Sequence, residues 1–128
     1  MKIPEQVSNA FYDVDKLVFG TANKNGAPNL ILLGSRRIVN DDTIWIFDTR
    51  FGKTKKNLLE NSNVSICVWH GPDNAFQIKG TATYLSEGKK FEDAVKWVVA
   101  NGKKKSTKGL VEIKVKEIYH LNTMQRLA

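Results

Sequence analysis

The chain has 128 residues, with 20 Lys and Arg against 13 Asp and Glu, a formal net charge of +7 at pH 7. Its 41% hydrophobic and 26% charged residues exclude a disordered chain, and the length fits a single domain spanning residues 1–128. The longest stretch without a charged side chain, Asn61 to Pro72, is too short and too polar to cross a bilayer. No apolar leader precedes Glu5, Asp13 and Asp15, so a cytoplasmic location is expected. A single cysteine, Cys67, excludes an internal disulfide framework and a CxxC motif. The positive excess asks for an anionic partner: nucleic acid, an acidic surface or a phosphorylated small molecule.

From the N-terminus, Pro4 to about Asp13 reads as a short helix with Val7, Ala10 and Phe11 on one face. Leu17 to Thr21 reads as a strand that ends at the turn Asn23-Lys24-Asn25-Gly26. Asn29 to Val39 reads as a second strand, turned by Asn40-Asp41-Asp42 into a third over Thr43 to Phe47. A helix follows from about Lys53 to Asn61, then a fourth strand over Val64 to Trp69 and a fifth over Ala75 to Tyr84. Ser86 reads as the cap of a helix reaching about Ala100, with Phe91, Ala94, Val95 and Val98 on its apolar face. A lysine-rich loop precedes a sixth strand, Leu110 to about Val115, with a continuation past a bulge toward Leu121. Six strands joined by short connections predict a small antiparallel barrel with two or three peripheral helices.

Two strands break the alternation of apolar and polar residues. Leu30-Ile31-Leu32-Leu33 and Ile44-Trp45-Ile46-Phe47 are apolar on both faces, whereas one face of a small antiparallel barrel meets water. A helix, a partner subunit or a flat apolar ligand must cover the second face. Three short helices do not comfortably cover both strands, so a dimer interface is expected to contribute.

The segment Asp48 to Leu58 follows a strand and opens a helix, with Lys53, Lys55 and Lys56 at its start. A helix N-terminus carries about half a positive charge, so lysine there has the wrong sign, and free N–H groups point outward. One bound phosphate resolves both, held by Lys53 and the Thr54 hydroxyl. This is not a P-loop, because Phe47 stands where the first glycine of that motif belongs. His70 and His120 have no ligand set at metal spacing. Ser35 after Gly34 is not a nucleophile elbow, and Cys67 reads as packing. No acid–base pair stands out, which points to a cofactor as the carrier of any chemistry. Arg36 and Arg37 are adjacent on a strand, so at most one reaches a given site. Trp97 sits beside the apolar stripe of its helix, half-buried or facing a ligand ring or partner.

The ordered set Val18-Phe19-Gly20-Thr21-Ala22, Asn25-Gly26-Ala27-Pro28, Leu30 to Ser35, Ile44 to Thr49, Lys53-Thr54, Asn57-Leu58, Glu60 to Ser65 and Ile78 to Ala82 resembles the FMN-binding split-barrel family related to pyridoxamine 5'-phosphate oxidase, and within it the small stand-alone FMN-binding proteins. The resemblance implies a six-stranded antiparallel Greek-key split barrel and a homodimer with FMN at the subunit interface. It implies that the backbone of Ile31, Leu32, Leu33, Gly34 and Ser35 lies along the flavin ring. It places Asp48 and Thr49 along the flavin tail and Lys53 and Thr54 at its phosphate. Trp97 is similar to a helix tryptophan that approaches the flavin from the other subunit. The family often carries a basic or polar residue where Leu32 stands and Ser where Gly52 stands. The ending Gln125-Arg126-Leu127-Ala128 lacks the tryptophan and closing proline of the true oxidases, so pyridoxamine-phosphate oxidase activity is not implied.

The expected function is that of an FMN-binding flavoprotein, an oxidoreductase or electron carrier with a small-molecule or protein redox partner. The alternative is a small basic OB-like barrel that stacks single-stranded nucleic acid on Trp45 and Trp69. A split barrel that binds haem, deazaflavin or no cofactor is a third reading.

Overall fold

The computed structural model describes residues 1–102 and 106–128, so Lys103, Lys104 and Lys105 of the lysine-rich loop lie outside the described residues. Three helices, α1 (Glu5–Asp13), α2 (Lys53–Glu60) and α3 (Lys89–Ala100), accompany seven strands. The strands are β1 (Leu17–Ala22), β2 (Pro28–Leu33), β3 (Arg36–Asn40), β4 (Thr43–Asp48), β5 (Asn63–Trp69), β6 (Ala75–Leu85) and β7 (Gly109–His120). All pairings are antiparallel, in the order β2-β1-β5-β6-β7-β4-β3. The sheet therefore has seven strands where six were expected. The predicted strand Asn29 to Val39 is interrupted at Gly34-Ser35, and its halves lie at opposite edges of the sheet.

That topology forces strong curvature. From Leu33 to Arg36 the chain spans at most about 11 Å. Laid flat, the seven strands would put the edges about 29 Å apart at the usual spacing. The sheet must curl until its edges approach at Gly34-Ser35. Among the described residues no strand ladder joins β2 to β3, so this meeting of edges is a seam.

The concave face carries the core. Phe11, Leu17, Phe19, Ile44, Ile46, Ile66, Phe76, Ile78, Ile113 and Ile118 are fully buried there. Val7, Ala10 and Phe11 of α1 join this core as the helical spacing predicts. Leu58 of α2 joins it too, while Asn57 donates from Nδ2 to Thr21 Oγ1 at 3.1 Å, satisfying both buried polar groups. The predicted bulge is present: Lys79 pairs with Glu117 and Gly80 with Val115, leaving Lys116 unpaired between them. A Cβ on Gly80 would lie 2.3 Å from the Lys114 carbonyl oxygen, so the close approach at the bulge requires glycine.

The convex face is divided. Over β4 and β7, α3 packs Ala94 and Val98 on Trp45, Phe47 and Leu110, so the doubly apolar β4 is covered by the chain's own helix. Ser86 does not cap that helix: Gly88, at φ 93°, is the N-cap, and no side chain bonds there. Over β2, β1 and β5 no helix lies among the described residues, and Leu30 and Leu32 remain 70% and 64% exposed. No described helix is long and apolar enough to cross a membrane.

Candidate functional site

A cleft of about 1040 Å³ opens where the seam, the end of α1, the β4–α2 loop and α3 converge. Its volume lies at the upper end of the range for cofactor sites. Ile31, Leu32, Leu33, Gly34 and Ser35 line one wall, and Thr49 and Trp97 line another. Seven of the ten residues expected to touch a cofactor thus meet in one cavity, although they come from three separate segments.

Asp48, Lys53 and Thr54 are not among the lining residues. Asp48 is 2% exposed and organises the loop from beneath. Its Oδ1 accepts the Phe51 N–H at 2.9 Å, and its Oδ2 accepts the Tyr84 hydroxyl at 2.6 Å. Burial, then the bond to Asp48, raises the Tyr84 pKa, so the phenol stays a donor. The Asp48 backbone carbonyl also accepts the Lys108 N–H at 2.7 Å. Thr54 is fully buried and its Oγ1 accepts the Asn29 amide at 3.0 Å. Lys53 is exposed at the start of α2. Gly52, with φ 57°, turns the chain into that helix, a conformation that suits glycine where the family often has serine.

Tyr12, Lys16 and Thr107 also line the cleft and had no signal in the local pattern, whereas Arg36 and the Arg50-Phe51 stretch of the Asp48–Leu58 segment were singled out without a defined ligand role. Arg50 is exposed and lines the cleft, whereas Lys53 does not. Thr107 Oγ1 is buried and finds no hydrogen-bond partner among the described residues. A buried hydroxyl without a partner is costly and suits a polar ligand atom.

Trp97 is half-buried and stacks on Phe47, with ring centroids 5.4 Å apart and planes 12° from parallel. The Arg37 guanidinium lies 5.2 Å from the Trp97 ring and 5.5 Å from Trp45, which holds the indole in place. Arg36 points the other way, as adjacent strand residues must, and its guanidinium donates to carbonyls at the end of α1.

The remaining candidates fall elsewhere. His70 bonds Asp13 at 2.8 Å on an exposed surface, and neither His70 nor His120 lines the cleft. No cluster of metal ligands occurs among the described residues. Cys67 lies on the convex face, where burial raises its thiol pKa, as packing rather than reactivity requires. Trp45 is 7% exposed beneath α3, so it offers no stacking platform for a nucleic-acid base.

The donor set fits a flavin mononucleotide: an apolar wall and an indole for a flat ring, and Ser35, Thr49, Thr107 and Arg50 for polar atoms. The fold has clear relatives. HupZ of Group A Streptococcus superposes with a TM-score of 0.86 at 23% identity, covering 98% of this chain and 100% of that one. An FMN-binding protein of Syntrophomonas wolfei superposes at 0.74 and 19% identity, covering 89% and 84%. HutZ, the heme storage protein of Vibrio cholerae, superposes at 0.68 and 11% identity, covering 94% and 95%. In sequence, an uncharacterised protein of Methanocaldococcus jannaschii is 34% identical over 112 residues, 85% of this chain and 75% of the relative. Residues 3–122 match the family described as pyridoxamine 5'-phosphate oxidase, and the chain belongs to that family.

Proposed function

We propose that the protein is a dimeric FMN-binding flavoprotein acting as an oxidoreductase or electron carrier. The single observation that carries the reading is the convergence of the Ile31–Ser35 wall, Thr49 and Trp97 on one cleft. A bound flavin supplies the electron transfer, and the protein binds, orients and shields it. The Ile31–Leu33 wall offers backbone and apolar surface to the ring, and Trp97 offers an indole face. The β4–α2 loop serves the phosphate end. Arg50 supplies charge at the cavity, and Lys53 supplies a second charge at the start of α2, where the buried Thr54 hydroxyl anchors the turn through Asn29.

The uncovered convex face supports a second copy. Leu30 and Leu32 on β2, Val18 on β1, and Cys67 and Trp69 on β5 share that face, and Leu30, Leu32 and Trp69 are exposed. A contiguous apolar patch on a sheet that no helix covers marks an interface. Leu32 belongs both to this patch and to the cleft, so a partner docked on the patch would border the cofactor.

Haem is the competing occupant. Neither histidine of the same protomer lines the cleft, so a haem there would draw an axial imidazole from the partner copy. Equilibrium titration with FMN, riboflavin and haemin tests the proposal. FMN should bind and quench protein fluorescence through Trp97. Riboflavin should bind at least tenfold more weakly for want of the phosphate. Tighter binding of haemin than of FMN would overturn the reading.

A further inference from the structure

Arg36 stands at the first residue after the seam, and its side chain turns back across it. Its five N–H donors meet carbonyl oxygens of five residues. Nε donates to Phe11 at 2.8 Å, Nη1 to Gly34 at 2.9 Å and Asp15 at 3.1 Å, and Nη2 to Tyr12 at 3.4 Å and to Val14. Four of these carbonyls belong to the last turn of α1 and its exit. A helix end leaves such carbonyls without internal partners. The fifth belongs to the corner that joins the two sheet edges. The guanidinium also lies 5.8 Å from the Phe11 ring centroid, which seats it against the core.

Both tethered segments are cleft walls. Tyr12, Asp13, Val14, Asp15 and Lys16 line the cleft, as do Gly34 and Ser35. The β1–β2 ladder ends at the pair Leu17↔Leu33, so residues 12–16 and Gly34-Ser35 extend beyond its last pair, and among the described residues no strand pairing joins them there. Tyr12 adds a second tie, accepting the Ile38 N–H at its hydroxyl at 2.8 Å. We propose that Arg36 is a positioning residue that clasps the end of α1 to the Gly34-Ser35 corner and thereby holds the cofactor cleft in its binding shape. This rests on the reading of the cleft as a flavin site. Charge alone does not serve the role, because lysine brings three donors on a flexible stem to five acceptors fixed in space.

The test uses the full chain with Arg36→Lys and Arg36→Gln, and Lys116→Gln as a charge-matched control remote from the cleft. Amide hydrogen exchange is measured without ligand, and FMN affinity by fluorescence titration. The amides of residues 12–16 and 34–35 should exchange at least tenfold faster in both Arg36 variants, with the core amides of β6 and β7 unchanged. FMN affinity should fall at least tenfold in both, while Lys116→Gln matches the parent. Wild-type exchange and affinity in Arg36→Lys would overturn the clasp and leave a simple charge effect. Faster exchange throughout β6 and β7 would overturn it in favour of general destabilisation, and Arg36→Lys remains decisive if Arg36→Gln does not fold. Failure of the parent protein itself to bind FMN would refute the flavin reading, and the exchange data would still report whether Arg36 ties the two walls.

Discussion

Replacing Gly109 with alanine should unseat the loop that borders the cleft. A Cβ at Gly109 would sit 2.2 Å from the Tyr84 hydroxyl oxygen, 2.3 Å from Cζ and 2.7 Å from Cε1. Contacts that short do not occur, so the Tyr84 ring must move. The strand pairing Asp48↔Gly109 and Leu85↔Leu110 holds the backbone on both sides, which leaves the side chain to yield. Its 2.6 Å bond to Asp48 Oδ2 then breaks, and a buried carboxylate loses a donor. Hydrogen bonds to charged groups contribute about 1.5–3 kcal/mol, and overpacking adds about 1–3 kcal/mol. A loss of roughly 2.5–6 kcal/mol is expected. Tyr84→Phe, which removes only the hydroxyl, should cost about 1.5–3 kcal/mol. Denaturant unfolding of the three proteins measures both. The reasoning is refuted if Gly109→Ala costs less than Tyr84→Phe, or if either lies within about 0.5 kcal/mol of the parent, as an ordinary surface change would.

Three further outcomes are expected. Lys53→Ala should weaken FMN binding by about 1–3 kcal/mol through loss of a charge-assisted bond. Arg50→Ala, measured beside it by the same titration, shows which cation serves the phosphate, and an unchanged affinity in both would remove the phosphate from this loop. Leu32→Asp places a charge on the exposed patch and should convert a dimer to monomers in sedimentation; an unaltered assembly would exclude this face as the interface. Glu112 has its pKa held below the ordinary 4.5: burial raises it, but bonds from Lys90 and the Trp45 indole outweigh that. Its contribution to stability is therefore present above about pH 4.5 and lost as pH falls through the lower folded-state value. Melting curves of wild type and Glu112→Gln should differ above that pH and converge below it, and a constant gap would contradict the assignment.

Most strand positions were legible because turn chemistry brackets them. Asn25-Gly26 and Asn40-Asp41-Asp42 sit between apolar runs, and β1, β4, β5 and β6 fall within a residue of where those signals put them. The split of the second strand was hidden because Arg36 to Val39 continues the extended pattern of Leu30 to Leu33, and only Gly34 marks the break. The start of α3 moved from Ser86 to Lys89 because Gly88 at φ 93° makes the entry turn, and backbone freedom outweighed a side-chain cap. Both doubly apolar strands read alike, yet α3 covers β4 while β2 stays open. Local composition does not say where a helix ninety residues into the chain will fold back. The same reason hid Tyr12 and Thr107, which reach the cleft only because the sheet curls and α1 is tied across the seam.

The most direct test of the central claim is the visible absorption spectrum of the purified protein after incubation with FMN and removal of free ligand by gel filtration. The account predicts oxidised-flavin bands co-eluting with a dimer, in near-equimolar ratio to the chain. A colourless protein, or one that leaves FMN behind and retains haem, would contradict it.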